Sequence, residues 1–151
     1  MKKTLTILIS MLLMAALAKG TYSISGTVGY SNGQGIIGGV EASWDCQLYQ
    51  PDFARIRPTV DLEYGKGGVQ GAALIKTVNQ IPKTPMGAGI GFGMRYSSGL
   101  QAYARVDGML KLDKIVGYPV LLGVDVGYAY GLGAATSEVV AHFKAGYCFK
   151  F

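Results

Sequence analysis

Apolar and polar residues take turns along the last segment of this chain. Val139, Ala141, Phe143, Ala145, Tyr147, Phe149 and Phe151 share one face, and Val140, His142, Lys144, Gly146, Cys148 and Lys150 share the other. A period of two is the mark of a β-strand with two unlike faces. From Arg55, residues Ile56, Pro58, Val60, Leu62 and Tyr64 alternate with Arg55, Arg57, Thr59, Asp61 and Glu63. From Ala88, residues Ala88, Ile90, Phe92, Met94 and Tyr96 alternate with Gly89, Gly91, Gly93 and Arg95. From Val120, residues Val120, Leu122, Val124, Val126, Tyr128 and Tyr130 alternate with Leu121, Gly123, Asp125, Gly127 and Ala129. Four segments repeat the pattern more weakly, around Tyr22–Tyr30, Val40–Trp44, Val69–Lys76 and Leu100–Asp107. The sequence thus predicts eight strands, an all-β fold.

Turn chemistry divides these strands into hairpins. Ser31–Gly35, Gly65–Gly68, Ser97–Gly99 and Gly131–Gly133 are Gly-rich loops of the hairpin kind. Each follows a tyrosine, Tyr30, Tyr64, Tyr96 and Tyr130, at spacings of 34, 32 and 34 residues. Such a period predicts repeated architecture, one hairpin per repeat. The intervening connections (47–54, 79–87, 113–117) are longer, and prolines lie in or just after them, as Pro51, Pro82, Pro85 and Pro119. Pro58 falls inside a strand, where it predicts a bulge or a locally unpaired position.

The N-terminus reads differently. Lys2 and Lys3 precede an apolar run from Leu5 to Leu17, and Ala16-Leu17-Ala18 is an A-x-A cleavage pattern. This predicts a secretory signal peptide over 1–18 and a mature barrel over 19–151. The run is shorter than the roughly 20 residues of a spanning helix. Without Lys2 and Lys3 the formal charge falls from +5 to +3, too little and too dispersed for a nucleic-acid partner. Export permits a disulfide, and Cys46 with Cys148 is the only intramolecular pairing available. Their places on opposite strand faces count against it, and the pairing stays open.

The faces decide between a soluble barrel and a membrane one. In a soluble barrel the apolar face points inward; in a membrane barrel it meets lipid, and small or polar residues fill the lumen. Here the polar faces are rich in Gly, with isolated charges of both signs, which suits a narrow interior. Aromatics gather at strand ends: Tyr30, Tyr64, Tyr96, Tyr128 and Tyr130 at one rim, Tyr22, Trp44, Tyr118, Tyr147 and Phe149 at the other. These positions fit two interfacial girdles. With 23 Gly and only 15% charged residues, the composition averages a lipid face and a lumen face.

The chain ends on Phe151, on the same face as Phe149 and Tyr147. A terminal aromatic on an alternating last strand, behind a signal peptide, resembles the C-terminal assembly signal of bacterial outer-membrane barrels. The sequence from about residue 21 onward is similar to small eight-stranded barrels of the OmpA transmembrane-domain or OmpX type. That resemblance implies an antiparallel up-and-down transmembrane β-barrel in the outer membrane, with both chain ends on the periplasmic side. It also implies outer-membrane lipid, periplasmic chaperones and the barrel-assembly machinery as partners, and a monomeric state. Closure of strand one on strand eight follows from physics as well, because an open edge in hydrocarbon leaves unpaired backbone groups.

The inward positions carry acids at Glu41, Asp45, Asp61, Glu63, Asp107 and Asp125, and bases at Arg55, Arg57, Lys76, Arg95, Arg105 and Lys144. Matched charge in a narrow interior predicts a paired network that plugs the barrel. His142, the only histidine, joins this set as a structural residue. Ser137 and Glu138 precede it by four or five positions, roughly 13 Å or more along a strand, too far for a Ser/His/Glu triad. The two Cys and one His are not at metal-ligand spacing, and Gly89–Gly93 has no following helix to make a nucleotide motif. No catalytic, metal or cofactor residues are expected. The expectation is a non-enzymatic barrel with a structural or envelope-interaction role; the alternatives are a lipid-modifying barrel enzyme or a narrow channel.

Overall fold

The computed structural model describes residues 21–44 and 55–150. Asp45, Cys46 and Phe151, and the expected signal peptide, lie outside these residues. Alternating segments joined by short Gly-rich loops fold back on one another in sequence order. The strands are β1 (Thr21–Ser31), β2 (Gly35–Trp44), β3 (Arg55–Gly65), β4 (Gly68–Gln80), β5 (Met86–Tyr96), β6 (Leu100–Lys111), β7 (Val120–Gly131) and β8 (Glu138–Lys150). One helical turn, α1 (Asp113–Val116), interrupts the β6–β7 connection. Each strand pairs antiparallel with its sequence neighbours, and β1 pairs with β8, closing the barrel. This is the eight-stranded up-and-down architecture that the alternation predicts.

The register sets the two faces. A pleated strand sends successive side chains to opposite sides, so Ile24, Leu62, Ile75, Phe92, Val106 and Val126 all point out. Ile75 is 62% and Phe92 63% exposed, whereas Arg95, one register position along from each Met94 and Tyr96, is 1% exposed. Buried apolar residues are few and small: Ala72, Leu74, Tyr103 and Ala129 form one cluster inside the wall. Ile37, Val78, Leu121 and Val140 are buried apart from that cluster, and most of the other buried side chains are polar or charged.

Two glycines show why small residues face inward. A Cβ on Gly29 would lie 2.6 Å from His142 Cδ2 on the adjoining strand. A Cβ on Gly127 would run into the ring of Tyr103, whose hydroxyl would be 2.6 Å away. Without these glycines neither ring could lie flat against the barrel wall.

Pro58 makes no bulge. It stands opposite Ile75 in an unbroken β3–β4 register. On its other side the β2–β3 pairing ends at Ser43 with Thr59, one position before it. The missing N–H therefore falls where the ladder stops, an accepted place for proline.

Candidate functional site

Every strand except β1 sends at least one basic or acidic group into the described lumen, β2 through Glu41. Carboxylates come from Glu41, Asp61, Glu63, Asp107, Asp125 and Glu138; cations come from Arg57, Lys76, Arg95, Arg105 and Lys144, with the His142 ring beside them. Arg105 from β6 is the hub of the lower group. It meets Asp61 Oδ2 and Glu41 Oε2 at 2.6 Å each, and its Nε lies 3.4 Å from Asp107 and 3.8 Å from Asp125. Lys76 pairs with Glu41 at 3.0 Å and Asp107 at 3.2 Å.

The carboxylates of Glu41, Asp107 and Asp125 converge so closely that a cation could sit among them. The Lys144 ammonium takes that place. Its Nζ lies 2.8 Å from Glu41 Oε2, 2.6 Å from Asp107 Oδ1 and 2.8 Å from Asp125 Oδ2. The donor set is thus already spent on a side-chain cation of the chain itself.

A second group lies nearer the loop rim. Arg95 donates to Glu138 Oε2 at 2.9 Å, to Glu63 Oε2 at 3.1 Å and to Gln70 Oε1 at 2.9 Å. Its guanidinium also lies 5.9 Å from the centre of the Tyr103 ring. Glu138 accepts from Ser31 at 2.7 Å and Ser97 at 3.0 Å. His142 joins the two groups: its Nδ1 is 2.8 Å from Asp125 Oδ1 and its Nε2 2.7 Å from Glu63 Oε1. Only a doubly protonated ring presents an N–H, rather than a lone pair, to both carboxylates. The network then runs unbroken from Ser97 at the loop rim to Lys76.

A cavity of about 10 Å³ lies below the lower group, lined by residues including Ser23, Ser43, Arg57, Lys76, Leu121 and Lys144. That is room for one water molecule. Ser23 and Ser43 hydrogen-bond each other at 2.7 Å, and Arg57 Nη2 donates to Ser23 at 3.3 Å.

Glu138 is the charged network member missing from the sequence-derived set, although the parity of β8 (Glu138, Val140, His142, Lys144) already placed it inward; the uncharged Gln70, Ser31 and Ser97 were also missing. Arg55 begins β3 and is described only by its backbone place opposite Val78. Ser137, Glu138 and His142 do not come together: Ser137 Oγ accepts from Gly131 N at 3.1 Å, Glu138 holds Arg95, and His142 lies between Asp125 and Glu63. The aromatic residues take the rims. Tyr30, Tyr64, Tyr96, Tyr128 and Tyr130 are exposed at the hairpin-loop end. At the other end Tyr22 stands opposite both Trp44 and Phe149, the Tyr147 and Phe149 rings are 5.0 Å apart, and Tyr118 is exposed beyond α1. Cys148 of β8 carries no disulfide to any described residue.

A closed eight-stranded antiparallel barrel, apolar outside and ion-paired inside, has the fold of the small outer-membrane barrels. No family model and no curated protein matches the chain. Among solved structures it is similar to the outer membrane enzyme PagL, with a TM-score of 0.59 and 18% sequence identity, over 85% of this chain and 99% of that one. No family match supports the OmpA or OmpX type in particular. The likeness corrects one expectation. A small barrel of this kind was expected to be non-enzymatic, yet PagL carries an enzyme on the same fold.

Proposed function

We propose that this chain is an integral outer-membrane barrel with a sealed lumen, acting in the envelope through its lipid-facing wall and its rims in a structural or interaction role. The observation that carries this reading is the inversion of faces. Ile75, Phe92 and Val106 stand exposed around the wall, while Arg95, Arg105 and Lys144 are buried within it. In water such a wall is unfavourable at about 25 cal/mol per Å² of apolar surface; in hydrocarbon it is the favoured arrangement. Export by the signal peptide, delivery by periplasmic chaperones and insertion by the assembly machinery complete this proposal. Fractionation tests it: the protein is expected with the outer membrane, with gel migration that changes on heating. Recovery from the soluble periplasm would overturn it.

A second reading, a lipid-modifying outer-membrane enzyme, draws on the shared fold with PagL. Lipid analysis of a deletion strain separates the two. A changed lipid acylation profile that the intact gene restores selects the enzyme; an unchanged profile selects the structural or interaction role.

A further inference from the structure

The two rims of the barrel are built differently. At the hairpin-loop rim the turns are small and mostly polar, with Leu132 the one large apolar side chain exposed in them, and they are tied to one another. Gln34 donates to Ser97 and accepts from Gly67 N, and Ser98 and Thr136 hydrogen-bond at 3.1 Å. At the opposite rim the β4–β5 and β6–β7 turns present apolar side chains instead. Ile81, Ile115, Val116 and Tyr118 are all exposed, Ile115 at 65% and Tyr118 at 67%.

These apolar turns are ordered. Ile81 N donates to Met86 O at 3.0 Å, and Thr84 Oγ1 to Ile81 O at 2.9 Å. In the other turn, Ile115 N and Val116 N both donate to Leu112 O at 2.9 Å, and Gly117 closes α1 in the left-handed conformation. A bond from Lys111 N to Pro85 O at 2.8 Å joins the two turns. Together they form a ledge with a fixed shape, and its apolar side chains stand exposed.

Position along the barrel says what covers it. Met86 and Tyr96 bound β5 and lie ten steps apart. That is about 33 Å along the strand, or about 25 Å of height at the usual tilt, the full apolar band of a membrane barrel. The ledge begins where the band ends and continues its exposed surface through Met86. Tyr118 has an apolar ring with a polar tip, and the exposed Lys83 has an apolar stem with a charged head. Both are side chains suited to a boundary between hydrocarbon and headgroups.

We propose that the β4–β5 and β6–β7 turns form an interfacial anchor that beds into the headgroup–acyl boundary of the phospholipid leaflet at this rim. The inference rests on the membrane reading above and adds to it a specific lipid-contacting element outside the strands. The opposite rim, whose tied turns expose a single large apolar side chain, Leu132, has no such cluster among the described residues.

Depth-dependent fluorescence quenching tests it on the full mature chain. Trp44→Phe removes the only tryptophan, and Ile115→Trp, Phe92→Trp and Ser98→Trp then report separately on the ledge, the wall and the loop rim. Each variant is refolded into phosphatidylcholine vesicles with bromines near the top of the acyl chains, and its barrel content is checked by circular dichroism. The expected result is quenching of the Ile115→Trp variant at least two-fold stronger than that of the Ser98→Trp variant. Quenching of the Phe92→Trp variant alone overturns the anchor and leaves the membrane reading standing. No quenching in any folded variant overturns both. Val116→Glu in the Ile115→Trp background folds as an exposed turn substitution and is expected to lower the quenching; an unchanged signal also counts against the anchor.

Discussion

Arg105 shows what a charge needs in order to stay buried. Its guanidinium is shared among Asp61, Glu41, Asp107 and Asp125, so each carboxylate relies on it to offset its own desolvation. Arg105→Met leaves those acids short of a cation and should cost about 3–5 kcal/mol, read as a lower urea midpoint of the refolded barrel. Adding Asp61→Leu should recover part of this loss, because one orphaned carboxylate is then gone; strict additivity would mean that the pair is not coupled. Gly127 makes a steric case of the same kind. Gly127→Ala drives a methyl into Tyr103 and should destabilise by about 1–3 kcal/mol. The double variant Gly127→Ala with Tyr103→Ala should be less unstable than the sum of its parts. Inward Asp61, Arg105 and Lys144 could be read from alternation alone. Their partners could not, because a lumen contact joins residues across the barrel: Lys144 to Glu41 spans β8 to β2.

At the scale of elements, sequence parity was accurate within strands and weak at their ends. Glu138 belongs to the network but follows a loop, so its face depends on where β8 begins. Of the two readings of Pro58, a bulge or a locally unpaired position, the second fits, since the β2–β3 pairing stops one position short of it. The short helical turn α1 carries no period to read. Loop contacts were likewise hidden, because Gln34 meets Gly67 and Ser97 only once three hairpins stand side by side. Gln34→Ala removes both ties and should cost about 1 kcal/mol per bond or less. Hydrogen exchange at Gly67 N should quicken more than at strand amides; equal protection before and after would remove Gln34 from the role of a tie.

For the whole molecule, strand number and closure followed from the eight alternating segments, while the filling of the lumen needed the structure. The paired side chains of Lys76, Arg105 and Lys144 lie across the lumen, and the cavity of about 10 Å³ beside them cannot pass hydrated ions. Planar-bilayer recordings should therefore show no stable large conductance, and reproducible nanosiemens steps would contradict a sealed barrel. The seam between β1 and β8 carries a different consequence. Thr21 stands opposite Lys150, and their neighbours pair in turn up to Ser31 with Val140, all over a hundred residues apart in sequence. Contacts this distant form slowly, since the chain between them must first be gathered. Until β8 docks during assembly, β1 and the growing end of the sheet are bare edges. Such edges invite pairing with any passing strand. Closure by the last strand is thus what removes both exposed edges at once.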